Sequence, residues 1–236
     1  MLAGLSACQI GVRVGIDANA DGTGAVRAVV TLDREAATRV PDLASELQVG
    51  DLTKAGWKVT GPSPSPSGDG GITIEALHTY RNPAEERQLV SQLSGPGGPF
   101  KDFRVARTHT FLRTTTRFSG TVDLSGGAAV FSDPQLAQRL GSPFGVDQAA
   151  LEKQLGTTLA RIFQVEVVAR LPGATTSNAP GRAANGAVWR PKLGEQVRLR
   201  ASSSHLNSIN IALAVASALF GLAFVVVVLR RVLHRP

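Results

Sequence analysis

"IGVRVGIDANADGTGAVRAVVTLD", residues 10–33, decides how the body of this chain is read. Ile10, Val12, Val14 and Ile16 alternate with small or charged residues, the period-two pattern of a strand with one buried face. "ANADGTG", 18–24, supplies turn chemistry, and "AVRAVVTLD", 25–33, runs on as a second extended segment rich in valine. The folded part therefore opens with a β-hairpin, and the rest of the chain has to cover its apolar face.

Working outward, "REAATRVPDLASELQ", 34–48, is helical in composition but broken by Pro41, which predicts a short helix, an interruption, and a strand start over 54–60. "GPSPSPSGDGG", 61–71, reads as an exposed hairpin loop before the strand "ITIEALHTY". In "NPAEERQLVSQLSG", 82–95, an early proline, acids in the first turn, Leu89, Val90 and Leu93 on one side and a closing glycine predict a helix. Extended structure resumes over "FRVARTHTFLRTTTRFSGTVDL", 103–124, which is rich in Thr, Val and Phe. Short helices are expected around 134–140 and 147–155, then a strand in "ARIFQVEVVARLPG". A polar loop follows over 174–186, and one or two last strands lie within 187–203. Mixed runs without regular βαβ alternation imply an α+β domain: an antiparallel sheet with helices packed on one face.

Composition agrees with a strand-rich body. The 236 residues include 25 Gly and 13 Pro, only 5% are aromatic, and 43% are hydrophobic, enough for a real core. The 25 Lys and Arg exceed the 18 acids, but they are scattered and form no compact basic stripe, so nucleic acid is not the expected partner. One cysteine excludes an intrachain disulfide framework, and no Cys/His spacing suits a zinc site.

Ile209 to Leu229 carries no charged residue. A run of roughly 20 apolar residues at about 1.5 Å each spans a hydrocarbon core of about 30 Å, so this segment predicts a transmembrane helix. Only Asn210 and Ser217 are polar within it. "RRVLHRP" after it is basic and "SSSHLNS" before it is not, which sets the tail in the cytoplasm and everything before about residue 205 outside.

That orientation gives "LSAC", 5–8, a meaning: an aliphatic residue, two small residues and the cysteine match the bacterial lipobox, making Cys8 the expected lipidation site. A complete signal needs a basic segment and an apolar stretch of about 7–15 residues first. "MLAG" alone precedes it, so translation is expected to begin upstream of Met1, with residues 1–8 the end of the signal. The organisation then reads as 1–8 signal remnant, 9–205 extracytoplasmic domain, 206–230 transmembrane helix and 231–236 cytoplasmic tail.

Catalytic and metal patterns fail one by one. "DANADG", 17–22, matches the first half of a calcium loop, but position twelve is Ala28 rather than a bidentate glutamate and strands flank it, so it reads as a turn. "SGPGGP", 94–99, lacks the Lys and Ser or Thr of a phosphate loop, and no serine has G-x-S-x-G spacing. His78 and His109 lie in strands and could meet across a sheet with Glu75, though a strand histidine is more often structural. Arg104, Arg107, Arg113 and Arg117 crowd one extended region; they read either as a solvated face or as a site for phosphate-bearing headgroups, which suit the guanidinium fork.

"LSAC" followed by a valine-rich hairpin with "DGTG", the "LPG" and "VW" segments at 171–173 and 188–189, and one C-terminal helix ending in arginines together resemble the actinobacterial LppM-like lipoproteins. The resemblance extends over nearly the whole chain. It implies an anchored extracytoplasmic α+β domain, proposed to bind lipids or mannosylated glycolipids of the envelope, with no catalytic motif to carry over; no cofactor is expected. A scaffold for other envelope proteins is the alternative, and an unrecognised hydrolase a third. An apolar cavity between sheet and helices, typically about 300–1,000 Å³, would mark the lipid binder.

Overall fold

The computed structural model describes residues 9–39, 49–65, 68, 70–95, 97–127, 130, 158, 162–183 and 186–233. Among them are eleven strands and four helices. Cys8, the break at Pro41 and the helices expected around 134–140 and 147–155 lie outside the described residues.

The opening hairpin forms as its pattern dictates: β1 (Ile10–Ala18) pairs antiparallel with β2 (Gly24–Leu32) in unbroken register from Ile10↔Leu32 to Ala18↔Gly24. At its turn the Asp21 carboxylate accepts the Thr23 N–H at 2.9 Å, and Gly22 takes φ 97°, a left-handed conformation that favours glycine. β4 (Ile72–Tyr80) flanks β2, and β3 (Lys58–Pro64) flanks β4. On the other side β1 lies parallel to β7 (Phe163–Arg170), which carries β10 (Gly186–Trp189) and then β9 (Gly181–Ala183). This seven-stranded sheet has the order β3-β4-β2-β1-β7-β10-β9.

A second sheet has the order β5-β6-β11-β8, from β5 (Phe100–His109), β6 (Arg113–Asp123), β11 (Gln196–Leu206) and β8 (Thr175–Ser177). All of its pairs are antiparallel. The two sheets share one core: Val14, Ile16, Val26 and Val167 from the first join Phe103, Val105, Phe118, Val122 and Leu199 from the second. Phe118 meets Trp189 across the interface with ring centroids 6.0 Å apart. α1 (Arg34–Arg39) and α2 (Val49–Lys54) are short connectors.

α3 (Pro83–Ser94) forms where its sequence predicts and for the predicted reasons. The Asn82 side chain accepts from the N–H groups of Ala84 and Glu85, and Glu85 in return accepts the Arg81 N–H at 2.8 Å, a reciprocal cap on the first turn. Gly95 at φ 67° ends it, and Leu89 and Val90 turn into the core.

The α+β class stands, but the strands divide between two sheets where one was expected. Two further details differ. β3 runs through Pro62 and Pro64, inside the stretch read as loop, because an edge strand with a register shift between Thr60 and Ser63 tolerates residues that donate no hydrogen bond. The stretch 174–186, also read as loop, holds the three-residue strands β8, whose partner β11 is distant in sequence, and β9, which forms a tight hairpin with β10.

α4 (Ser208–Leu233) follows β11 directly. Its segment Ser208–Val226 has a mean hydropathy of 2.4 and no part of it is buried, so it is long and apolar enough to span a membrane and is not a core helix.

Candidate anion-binding groove

Strand alternation sorts the arginines of the four-stranded sheet. On β6, Thr114, Thr116, Phe118 and Val122 point inward and are buried, which turns Arg113, Arg117 and Ser119 outward. Buried Phe103 and Val105 on β5 leave Arg104 outward, and buried Leu199 and Ala201 on β11 leave Arg198 and Arg200 outward. The register then aligns Arg104 with Ser119 and Ser119 with Arg200 in one row, and Ala106, Arg117 and Ser202 in the next. A bulge adjusts this alignment: the pairing shifts between Lys101 and Arg104, and Asp102 takes φ 56°.

Arg104, Arg117 and Arg200 thereby line an open groove of about 580 Å³, with Ser119, Thr176 and Ser202 among its other walls. β8 closes one side, held by the Thr176 hydroxyl donating to the Ser202 carbonyl at 3.2 Å. Asn178 secures the corner: its Oδ1 accepts from the Arg200 N–H at 2.9 Å and the Trp189 indole at 3.0 Å, while its amide donates to the Arg198 carbonyl at 2.8 Å. The backbone under Arg200 is therefore fixed to the core tryptophan.

A second groove, about 500 Å³, lies around the first turn of α3 and shares Arg104 and Ala106 with the first. Arg81, Arg87 and Arg107 line it together with Asp21. Arg107 donates to the Asp21 carbonyl at 3.2 Å, and the Asp21 carboxyl is held below its usual range chiefly by the Thr23 hydroxyl and N–H. Beneath this edge sits Glu86, fully buried on α3, accepting the Val105 N–H at 3.1 Å with its second oxygen unpartnered. Burial pushes its carboxyl up to about 7, so protonated and ionised forms coexist in neutral solution.

The four arginines singled out in the sequence thus separate. Arg104 and Arg117 meet in the first groove; Arg107 turns into the second; Arg113 stands at the far end of β6, paired with Leu206 where β11 meets α4. Arg200, which completes the first groove, comes from a distant segment. Its signal was the alternation in "VRLRAS", which exposes Arg198 and Arg200 on one face.

No family model matches the chain, and no curated protein matches it either. Among solved structures, the folded domain of the Mycobacterium tuberculosis LppM protein, determined by NMR, is similar to it. The identity is 14%, the TM-score 0.47, and the match covers 86% of this chain and 93% of that one.

The groove presents positive charge and hydrogen-bond donors. Three guanidiniums each offer five donors in a fixed fork, hydroxyls surround them, and Arg104, Arg113, Arg117, Arg198 and Arg200 make no ion pair among the described residues. His78 and His109 belong to different sheets: His78 packs edge-on against Trp57 and His109 contacts the Thr114 hydroxyl at 2.9 Å, while Glu75 pairs with Arg27. Between the sheets, Phe100, Phe103, Phe118 and Trp189 follow one another at centroid spacings of 5.4 to 6.0 Å.

Proposed function

We propose that this is a non-enzymatic, membrane-anchored domain that binds the anionic headgroups of envelope lipids or glycolipids. The observation that carries the reading is the groove of Arg104, Arg117 and Arg200, unpaired with any described acid, on the sheet whose last strand runs into the apolar helix. A cluster of unneutralised guanidiniums is an unfavourable surface unless an anion completes it, and bidentate geometry suits phosphate or carboxylate.

Height above the bilayer narrows the ligand. Arg113, opposite Leu206, lies near the start of the span; Arg117 is four residues further along β6, about 14 Å at roughly 3.4 Å per residue. A headgroup that projects from the surface, such as a glycosylated phospholipid, reaches the groove with its acyl chains still in the membrane. Arg230 and Arg231 at the other end of α4 favour a cytoplasmic tail and an external domain. A phosphatase reporter fused after Pro236 that proves active in the periplasm or its equivalent would reverse that orientation.

The test uses the full chain in nanodiscs of phosphatidylcholine with phosphatidylinositol or its mannosylated forms, with retained lipid counted by native mass spectrometry. Wild type retains the anionic lipid, less so as salt rises. Arg104→Gln combined with Arg200→Gln lowers retention severalfold. Retention that is absent in wild type, or indifferent to both salt and substitution, rejects the headgroup reading and favours the scaffold.

A further inference from the structure

The tip of the β5–β6 hairpin and the first turn of α4 are joined by an unusual concentration of polar contacts. Asn207 occupies the N-cap position, where a side chain ordinarily accepts from the helix's own N–H groups. Here it is committed to the hairpin. Its amide donates to the carbonyls of Thr110 at 3.0 Å and Phe111 at 3.3 Å, its Oδ1 accepts from the Thr114 hydroxyl at 3.0 Å, and its backbone N–H donates to the Leu112 carbonyl at 2.9 Å. Asn210, the polar residue in the first turn of the span, adds an amide bond of 2.6 Å to the Phe111 carbonyl. The tip itself is closed by the Thr110 N–H and hydroxyl, both donating to the Arg113 carbonyl at 2.8 Å.

These bonds satisfy the tip's backbone carbonyls and leave its large side chains exposed. Phe111 is 60% exposed and Leu112 48%, next to Leu206 at 58% and Ile209 at 75%. Four large apolar side chains thus gather where the apolar helix begins, with Arg113 as the nearest cation of the hairpin. An exposed apolar patch continuous with a membrane span has the bilayer itself as its natural cover. Backbone whose carbonyls are already hydrogen-bonded can enter the interfacial layer at little penalty.

We propose that the β5–β6 hairpin tip is a second membrane-contacting element, in which Phe111 and Leu112 enter the lipid beside the first turn of α4. The Asn207 and Asn210 clamp makes tip and helix one rigid foot. The four-stranded sheet is then held upright, and the arginine groove stays at a set distance above the surface instead of swinging on a tether.

This inference rests on the reading of α4 as a membrane span, so the experiment separates the two. Tryptophan is introduced singly into the full chain in proteoliposomes: Phe111→Trp at the tip, Phe220→Trp in mid-span, and Lys192→Trp at the opposite end of the sheet. Quenching by brominated phosphatidylcholine is compared after subtracting wild type, whose Trp57 and Trp189 are both buried. Severalfold stronger quenching at 111 than at 192, greatest with bromines near the headgroups, is the expected result. Quenching at 220 with 111 no different from 192 overturns the tip while leaving the span intact. Absence of quenching at 220 overturns the span and the tip with it. Blue-shifted but unquenched emission at 111, with 220 quenched, means that protein rather than lipid covers the tip and also overturns the proposal. As a second readout, Asn207→Ala with Asn210→Ala should release the foot and reduce quenching at 111 severalfold; unchanged quenching overturns the clamp.

Discussion

The outward faces of the two sheets treat charge in opposite ways. On the seven-stranded sheet, Arg13 and Arg190 both pair with Glu166 at 2.7 and 2.8 Å, Arg27 pairs with Glu75 at 2.6 Å, and Arg170 pairs with Asp17 at 2.9 Å. The parallel register of β1 and β7 puts Arg13 opposite Glu166 and Asp17 opposite Arg170, so pairing is built into the strand alignment. On the four-stranded sheet the one ion pair among the described residues joins Lys101 to Asp123, whose carboxyl the Lys101 ammonium and Ser125 hold down at about 2. Arg104, Arg117, Arg198 and Arg200 answer to no acid there. The two sheets share a core and a chain; what separates them is that arginines on one outward face pair with acids of the chain, while those on the other pair with no described acid.

The comparison holds only if both sheets are one folding unit, and the largest expected effect tests that. Phe118→Ala, at the crossing with Trp189, should destabilise by about 3–5 kcal/mol. Chemical denaturation followed at probes in each sheet should show both moving together. Two separate transitions would mean that the faces belong to independent modules.

Next in size is pH. The Glu86 carboxyl, raised by burial to about 7, binds its proton more tightly in the folded chain than in the unfolded one. Its contribution is therefore fully present below about pH 4.5 and lost as pH climbs through 7, by at most about 3 kcal/mol. Tyr80 and Arg87 are the groups that interact with it, and Arg87 opposes the shift. Denaturation midpoints should fall across that window in wild type and stay flat in Glu86→Gln; a parallel slope in both would remove Glu86 as the source.

Smaller still is the direct contrast between faces. Glu166→Gln strands two arginines and should lower stability by about 1 kcal/mol, whereas Arg117→Gln relieves like-charge crowding and should change it by less than about 0.5 kcal/mol, toward greater stability at low salt. Melting in low and high salt reads both. Equal destabilisation by the two variants would erase the distinction between a closed face and an open one.

The hairpin at 10–32 and α3 were legible because each is specified locally: alternation and turn residues in one, proline, capping asparagine and terminal glycine in the other. β8 and β9 were not, since three residues carry no period: β8 is a strand because it pairs with the distant β11, and β9 because it pairs with β10 at the sheet edge. Proline concealed β3, whose edge position is a tertiary fact. Of the site, Arg104 and Arg117 stood out by density alone. Parity along β5 would have separated Arg107 from Arg104, but joining Arg200 to them required the β6–β11 register, which nothing within either segment announces.

β1 also constrains the order in which this protein can be built. Its strand lies inside the seven-stranded sheet, between β2 and a parallel partner that begins at Phe163. A chain emerging from its N-terminus completes the first hairpin at once, yet the far edge of β1 stays without its backbone partners until about 130 residues more have followed. Such late, non-local closure is slow, and an open valine-rich edge invites pairing with other chains. Gly11, Arg13 and Gly15 interrupt that edge, and a charge on an open strand disfavours pairing with other chains.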